Sequence, residues 1–540
     1  MTTRDQQATL REAYDEVEYN SGLIDRTHPC QIGGIASLFG VYAPPVAKAR
    51  ILEIGCGLGQ NIIPIAASLP EAICVGVDLS SRQIERAQRN AESLRLDNLI
   101  LIASDVRELV GELDNFDYII CHGVYSWVPD EVRADLFNVC RRLLSPSGLL
   151  YISYNVFPGW ADFGLMRGLF LRLFPQQSWS REKNERIDAW IRALPEGPTR
   201  ERYEKLWFKQ FRALPDFYKR HGIFSEINQP YYFTEVVDHA ERSGFRYLSD
   251  MNLKLDLPTH SLRGLIEQNT HLPRLDQIQL LDLAQHISFR ASVFRRATRG
   301  DLDAESGASS RVSKLDDLQL ASISRLSVLS LFVEVDPTPE QEKAALKTYP
   351  HLDVSTEIKY YQRRNSPSDE LTPLQPSLSR ELIDAAAESW PRPLPLQHYF
   401  SQLSARSPDA LQELLPQLVK SLIYKDLEIL VDPPSPLIAP TPLESPDFCP
   451  QLSSYNAYYI QQGESHLTMT HLHRHPDAAR SDPWFLFADH WDGTRTRPLI
   501  LESVQSHPRF AGSQLAKMTD EERATTLEAS LALFWRDGLI

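Results

Sequence analysis

Short apolar runs alternate with helix-like spacing through residues 49–155 of the chain. The apolar runs cover residues 49–54, 73–77, 99–103, 116–121 and 149–154. Between the second and third runs, Ile84, Ala87 and Ala91 repeat with the spacing of one helix face. Strands that alternate with helices are typical of an open parallel sheet, which binds ligands at the carboxyl ends of its strands. The pattern therefore predicts an α/β fold with a Rossmann-like sheet of five strands.

A glycine-rich turn from Gly55 to Gly59 separates the first apolar run from a helical pattern that begins at Ile62. Glycine has no Cβ, so a ligand can approach the backbone of this turn closely. The dinucleotide fingerprint needs a third glycine where this chain has Gln60. Glu53, inside the end of the strand, disfavours a pyrophosphate and suits a cation. S-adenosylmethionine fits these features, and the turn resembles motif I of class I methyltransferases.

Two acids follow the next two apolar runs. Asp78 ends the second run, 21 residues after Gly57, where a carboxylate can accept both ribose hydroxyls of a nucleotide. Asp105 follows the third run in Ser104-Asp105-Val106, which resembles the adenine-contacting motif. The residues of this domain that we predict to contact the cofactor are Glu53, Gly55, Gly57, Gly59, Asn61, Asp78, Leu79, Asp105, Val106 and His122.

The composition of the chain limits the kinds of partner and the cellular compartment that we expect for it. The net charge of −15 disfavours a nucleic-acid groove, so no nucleic-acid partner is expected. The six cysteines contain no Cys-x-x-Cys pair, and Cys56, Cys74 and Cys121 lie in or beside predicted buried strands, which suits small buried side chains in a reducing compartment. The N-terminus lacks the apolar core of a signal peptide, and no run approaches the roughly eighteen apolar residues of a membrane span. These features predict a cytoplasmic location.

A chain of 540 residues is too long for one core, so several domains are expected. We predict an N-terminal segment (1–48), a SAM-binding domain (49–162), a helical insert with a further module (163–299), a linker and middle module (300–390), and a C-terminal domain (391–540). The polar stretch 300–313 predicts a linker, and seven prolines in 431–450 predict an extended loop. An amphipathic helix is predicted over 520–535.

Several further motifs carry a resemblance to a known family. They are His122-Gly-Val-Tyr-Ser-Trp-Val-Pro129, Ser153-Tyr-Asn-Val-Phe-Pro-Gly-Trp160, His221-Gly-Ile-Phe224, Pro230-Tyr-Tyr-Phe-Thr-Glu235 and Gly244-Phe-Arg-Tyr-Leu-Ser-Asp250. Together they resemble bacterial methyltransferases with a methyltransferase regulatory domain, whose best-described members are the rickettsial protein-lysine methyltransferases. The resemblance covers most of the chain. It implies the regulatory and winged-helix-like domains, and a lysine side chain of a protein as the methyl acceptor. It is also the main support for Tyr14 and Tyr19 as a lid over the cofactor and for His28 beside it.

The loop after the fourth strand faces the expected position of the transferred methyl group. His122, Tyr125 and Trp127 are predicted to form an aromatic wall that removes water from an amine, or simply to pack against a neighbouring loop. Desolvation matters because lysine reacts only as the free amine, and lowering its pKa from ~10.4 to near 7 costs roughly 4–5 kcal/mol. His122 is alternatively a base that removes the proton. Asn155, after the fifth strand, is predicted to orient the amine, or is a simple turn residue.

The predicted function is therefore a SAM-dependent N-methyltransferase that acts on lysine side chains of a protein. Two alternatives stay open: a small-molecule O- or N-methyltransferase, and a scaffold that keeps the cofactor as a structural ligand. The accessory domains suit either substrate docking or oligomerisation, including a homodimer. His471, His473 and His475 lie on one side of an extended segment, but without an evident fourth ligand they favour a solvated strand face, and no metal is predicted.

Overall fold

The structure of this chain is a computed structural model. It describes residues 23–298, 323–431, 433, 497–505, 515 and 518–527, except for positions 110, 112, 114, 176–178, 215, 217, 226, 258–259, 350–351, 353–354, 364–370, 390–392, 408 and 424–426. Several predictions fall outside the described residues: Tyr14 and Tyr19, the linker 300–313, most of the proline-rich stretch, and the three histidines of 471–475. Residues 520–527 of the predicted C-terminal helix are helical.

A seven-stranded sheet forms the first half of the described chain. Its strands are β1 (Arg50–Ile54), β2 (Ile73–Asp78), β3 (Leu99–Ala103), β4 (Phe116–Cys121), β5 (Leu144–Asn155), β6 (Phe245–Asp250) and β7 (Phe289–Arg296). They lie in the order β3-β2-β1-β4-β5-β7-β6. Strands β1 to β5 pair in parallel, whereas β7 runs antiparallel to both β5 and β6.

The five predicted strands are confirmed as β1 to β5. The prediction that the sheet ends there is wrong, because β6 and β7 come from the region assigned to the insert and regulatory domain. Both faces of the sheet are buried: Ile51 belongs to one apolar cluster, and its neighbour Leu52 belongs to the cluster on the opposite face. Burial on both faces explains why the strands read as continuous apolar runs and not as alternating patterns.

Helices cover the sheet, form the insert and build the C-terminal part. They are α1 (Pro29–Leu38), α2 (Ile62–Ser68), α3 (Ser81–Ser93), α4 (Asp130–Leu143), α5 (Trp160–Leu173), α6 (Lys183–Arg192), α7 (Pro198–Leu206), α8 (Phe233–Arg242), α9 (Arg263–Glu267), α10 (Arg274–Gln285), α11 (Pro339–Thr348), α12 (Leu378–Glu388), α13 (Leu396–Arg406), α14 (Ala410–Ile423) and α15 (Arg497–Gln505). In the described residues, no helix has the length and apolar character needed to cross a bilayer.

The insert follows β5 directly. It consists of α5, α6, α7 and two π-helical turns, Trp207–Phe211 and Tyr218–Ile223. Large aromatic side chains hold these short helices together; the indoles of Trp179 and Trp207 and the ring of Phe170 are buried in one cluster. Because α5 starts five residues after the end of β5, the insert is anchored at the carboxyl edge of the sheet.

The described residues of the C-terminal part form two small antiparallel sheets. Their strands are β8 (Ser327–Ser330), β9 (Phe332–Glu334), β10 (Lys359–Arg363), β11 (Leu371–Leu374), β12 (Leu394–Pro395) and β13 (Leu427–Leu430). One sheet has the order β11-β10-β9 and the other β12-β8-β13. The second sheet joins β8 to strands beyond residue 390, so the structural unit crosses the boundary predicted there. Its winged-helix-like character stays a prediction.

Helix α1 packs between the large sheet and the C-terminal part. Its residues Ile32 and Ala36 belong to the core of the large sheet, whereas Ile35 and Leu38 belong to the C-terminal core. A Cβ at Gly34 would lie only 2.8 Å from the carbonyl oxygen of Ile429. Glycine is therefore needed for β13 to approach the helix this closely. We call this contact between α1 and β13 the seam.

Candidate active site

A cavity of about 450 Å³ lies at the carboxyl ends of β1 to β5. Eleven of the predicted site residues line it: Glu53, Gly55, Gly57, Asn61, Asp78, Leu79, Asp105, Val106, His122, Trp127 and Asn155. We call the wall formed by residues at the ends of β1, β2 and β3 the cofactor side. The acceptor side is the wall formed by Trp127, Asn155, Trp160, Phe163, Tyr218, His221 and Gly222.

The glycine-rich turn has a backbone that other residues adopt only with strain. Gly57 has φ +53° and Gly59 has φ +74°, values in the left-handed region that favours glycine. Gly57 lines the cavity, so a ligand there meets bare backbone. Gly59 does not line it; a Cβ at this position would lie 2.8 Å from the Ile63 side chain. The predicted cofactor contact of Gly59 is thus replaced by close packing of the turn against α2.

Asp78 holds the turn and faces the cavity. Its Oδ2 accepts a hydrogen bond from the Gly57 amide at 2.9 Å, and its Oδ1 accepts one from the Ser80 amide at 2.9 Å. The Ser80 hydroxyl in turn caps α3. The carboxylate is therefore fixed at the tip of β2, the position from which such an acid accepts ribose hydroxyls.

Glu53 is a buried acid, only 4% exposed, at the end of β1. Its Oε1 accepts a hydrogen bond from Asn61 Nδ2 at 2.9 Å, but its Oε2 has no hydrogen-bond partner within the described part of the chain. Burial raises the pKa of Glu53 to about 8; the Asn61 hydrogen bond opposes this shift and the Asp78 charge adds to it. A buried carboxyl with one unused oxygen requires a donor or cation from a ligand to stay ionised.

Asp105 is less available than predicted. It lines the cavity, but its Oδ1 accepts hydrogen bonds from Arg107 N and Nε, and its Oδ2 pairs with Arg107 Nη2 at 2.6 Å. These bonds fix the short 3₁₀ turn Val106–Leu109 at the end of β3. The carboxylate therefore shares its oxygens between the protein and any adenine amine, while the Val106 side of the turn supplies apolar wall.

His122 follows β4 and contacts two aromatic rings. Its Nδ1 lies 2.8 Å from the Tyr151 hydroxyl, and its ring stacks on Tyr151 at 5.9 Å and tilts against Phe289 at 5.8 Å. Burial, assisted by the nearby Arg26 charge, lowers the pKa of His122 to about 3. The imidazole is therefore neutral at physiological pH and a weak base.

The loop after His122 divides its aromatic residues between the core and the cavity. Trp127 lines the acceptor side, and its Nε1 donates to the Gly222 carbonyl at 3.1 Å. Tyr125 is 2% exposed; its hydroxyl contacts His239 Nδ1 at 3.0 Å and its ring packs edge-on against Tyr231. Tyr125 is not among the cavity residues, so the structure corrects its predicted place in the aromatic wall.

A chain of amide hydrogen bonds fixes the orientation of Asn155. Asn228 Nδ2 donates to the Gly222 carbonyl at 2.5 Å, and Asn155 Nδ2 donates to Asn228 Oδ1 at 3.0 Å. A carbonyl only accepts, so Asn228 must turn its Nδ2 to Gly222 and its Oδ1 to Asn155. One N–H of Asn155 Nδ2 is thereby used and the amide orientation is set, so Oδ1 is the acceptor that this cavity-lining side chain offers.

Sequence reasoning missed several cavity residues: Arg26, Gln83, Trp160, Tyr218, His221 and Phe289. Trp160 and His221 lie in motifs that carry the family resemblance, which was the available signal. The π-helical turn Tyr218–Ile223 turns Tyr218 and His221 towards the cavity; such turns recur at functional sites. No local pattern marks Arg26 or Phe289.

His28 lies elsewhere than predicted. It is 2% exposed, its Nδ1 accepts from the Cys30 amide, and its Nε2 lies 3.1 Å from the Ser68 hydroxyl. The side chain thus caps α1 and ties it to α2, and it is not among the cavity residues. The expected position beside the cofactor is corrected to this structural role.

The residues present fit S-adenosylmethionine. The Asp78 carboxylate can accept the ribose hydroxyls, and the unused oxygen of buried Glu53 can pair with the ammonium. Gly57 has no Cβ, so the cofactor can contact its backbone. Gln83 adds a second buried oxygen, Oε1, that lacks a hydrogen-bond partner among the described residues. A strand, a glycine-rich turn, a helix and an acid at the tip of β2 together define the class: a Rossmann-like, SAM-dependent methyltransferase domain.

Comparisons with known proteins agree. Residues 51–148 match the family model described as Methyltransferase domain. Two uncharacterized proteins of Rickettsia prowazekii are 36% and 32% identical to this chain over 245 residues each, which is 44% of this chain; the alignments span 44% of the first protein and 98% of the second. The structure of PKMT2 from Rickettsia typhi has a TM-score of 0.76 at 20% identity, covering 96% of this chain and 99% of that one. Its complex with AdoHcy gives 0.73 at 21% identity.

The chain belongs to the class I SAM-dependent methyltransferases, in one family with the second of the two Rickettsia prowazekii proteins. Its cofactor is S-adenosylmethionine. The alignment with this chain spans less than half of the length of the first Rickettsia prowazekii protein.

Cofactor affinity is expected to depend on pH through Glu53. Without ligand its pKa is about 8, so at neutral pH most molecules must release a proton before the carboxylate pairs with the ligand ammonium. We therefore expect the affinity for S-adenosylhomocysteine (AdoHcy) to rise with pH, by at most about tenfold per unit, and to level off above about pH 8. Titration calorimetry across this range, in buffers of different ionisation enthalpy, measures both the slope and the released proton. Glu53→Gln should flatten the slope; an unchanged slope in that variant would contradict the assignment.

Proposed function

We propose that this protein is a SAM-dependent N-methyltransferase that methylates lysine side chains of a protein. The observation that carries the proposal is the composition of the acceptor side, where Trp127, Trp160 and Tyr218 line the same cavity as Asn155. Aromatic walls bind the apolar stem of lysine and hold methylammonium products by cation–π attraction.

The distribution of charge around the cavity supports a neutral amine as the nucleophile. Glu53, Asp78 and Asp105 are the acids that line the cavity in the described chain, and all three belong to the cofactor side. An ammonium entering the acceptor side therefore meets aromatic and amide groups without a carboxylate partner. Desolvation there favours loss of the proton, which the reaction requires.

Asn155 and His122 are proposed to position the amine. The Asn155 Oδ1, oriented through Asn228, accepts an N–H of the amine and so directs the nitrogen lone pair. A histidine with a pKa of about 3 holds a proton poorly, so His122 is proposed to act as a neutral polar contact and not as the base. Bound S-adenosylmethionine supplies an activated methyl group on sulfur. The protein's contribution is alignment and exclusion of water.

The resemblance to rickettsial protein-lysine methyltransferases and the fold shared with PKMT2 of Rickettsia typhi support a protein acceptor. About half of the chain lies outside the large sheet and its insert, and we propose that this part docks the protein substrate. The acidic balance of the chain suits a lysine-rich partner.

The test is to incubate the full-length enzyme and a bacterial lysate with S-adenosylmethionine that carries a labelled methyl group. We expect label in the protein fraction, and methyl-lysine after acid hydrolysis of that fraction. The Asp78→Ala variant, which should not bind the donor, is the matched control. Label confined to small molecules would contradict the lysine proposal and favour the small-molecule alternative.

A further inference from the structure

Arg26 is the basic side chain that stands out in the cavity wall. Among the described residues that line the cavity, it is the only arginine, and no lysine is present. His122, which also lines the cavity, does not substitute for it, since burial keeps the imidazole of His122 neutral. Because S-adenosylmethionine carries a carboxylate as well as two positive groups, a complementary site needs one cation.

The turn that carries Arg26 is hydrogen-bonded to Asn61, and Asn61 also orients Glu53. It lies in a 3₁₀ turn, Asp25–Thr27. The Thr27 hydroxyl donates to Asn61 Oδ1 at 2.9 Å and the Ile24 amide donates to the same oxygen at 3.3 Å. The other end of the Asn61 amide donates to Glu53. One asparagine therefore fixes the turn that carries the cation and the carboxyl that suits the ammonium.

The neighbours of the Arg26 guanidinium include two aromatic residues, Phe289 and Tyr151, and the Tyr151 hydroxyl is a hydrogen-bond partner of the guanidinium. The group lies over the Phe289 ring, 5.4 Å from the centroid, and its charge reaches His122 strongly enough to lower that pKa. No described carboxylate lies within ion-pair distance of it. Neither aromatic residue neutralises the guanidinium, and one hydroxyl cannot occupy its five N–H donors, so donors remain for an anionic ligand group.

We propose that Arg26 binds the carboxylate of the methionyl group of S-adenosylmethionine, so that Arg26 and Glu53 together recognise the zwitterionic end of the cofactor. A planar guanidinium matches a carboxylate with two parallel hydrogen bonds. This inference rests on the cofactor and is independent of the methyl acceptor.

Two ligands separate this role from a general role in folding. AdoHcy carries the amino-acid group, whereas 5′-methylthioadenosine has the same adenosine and sulfur without it. Titration calorimetry with the full-length protein should show that Arg26→Ala weakens AdoHcy binding by about tenfold or more. The affinity for 5′-methylthioadenosine should stay within about twofold, which also shows that the variant is folded. Arg26→Lys should recover part of the loss, because it restores the charge but not the paired donors.

Asp78→Ala is the matched control, since it should weaken both ligands. Equal weakening of both ligands by Arg26→Ala, or no weakening of AdoHcy, would overturn the proposal. Because no methyl acceptor is needed, this result is independent of whether lysine is the acceptor.

Discussion

Replacing Asp78 by alanine is expected to weaken S-adenosylmethionine binding by at least about a hundredfold. The carboxylate accepts the Gly57 and Ser80 amides and is placed to accept the ribose hydroxyls. Hydrogen bonds to a charged group contribute roughly 1.5–3 kcal/mol each, so losing two of them accounts for this factor. Titration calorimetry with AdoHcy measures the change without any knowledge of the acceptor.

Asp78→Asn is the informative companion variant. It keeps one oxygen acceptor and the shape of the side chain, but it loses the charge, so an intermediate affinity is expected. Thermal unfolding of each variant separates a local loss from a damaged sheet. An Asp78→Ala protein that binds AdoHcy as the unmodified chain does would refute the ribose role.

Asn155→Ala is expected to lower the rate of methyl transfer by about a hundredfold while leaving AdoHcy affinity within about twofold. A misdirected nucleophile typically costs about that factor in rate. The measurement is the rate of label transfer into the acceptor fraction of the lysate, together with calorimetry for the cofactor.

Asn228 provides the matched control for Asn155. Asn228→Ala keeps the Asn155 amide but removes the hydrogen bond that fixes its orientation, so a smaller loss of rate is expected, with cofactor binding again unchanged. If Asn155→Ala keeps full activity, the amide does not orient the acceptor. If it loses AdoHcy affinity instead, the residue belongs to the cofactor side.

The sequence predicted the cofactor half of the site because its signals are local. Each of β1 to β4 is a short apolar run; Asp78 is the last residue of β2, and Asp105 comes two residues after the end of β3. Strands β6 and β7 were missed for a physical reason. β7 reads Phe-Arg-Ala-Ser-Val-Phe-Arg-Arg, and its buried Arg290 is neutralised by Asp282 and Asp256 from elsewhere in the chain. Because these ion pairs form only in the folded protein, a charged residue can be buried in β7, and the strand does not read as a continuous apolar run.

The acceptor half was harder to predict because it is assembled across long sequence distances. Trp127 meets Gly222 through one hydrogen bond that spans 95 residues. Tyr125 and Trp127 look equivalent in the sequence, yet Tyr125 is buried in the core and Trp127 lines the cavity. Arg26 illustrates the same limit, since nothing around it distinguishes a cavity cation from a surface arginine.

The seam connects the C-terminal part to the segment that carries Arg26, one of the cavity residues. The Val431 amide donates to the Cys30 carbonyl at 3.0 Å, and Cys30 lies four residues after Arg26 on the helix that His28 caps. Thermodynamic reciprocity then sets a condition on this protein. If a molecule that binds the C-terminal part changes cofactor affinity by some factor, the cofactor must change the affinity for that molecule by the same factor. A docking partner coupled in this way can be detected with AdoHcy alone, before any methyl group has been transferred.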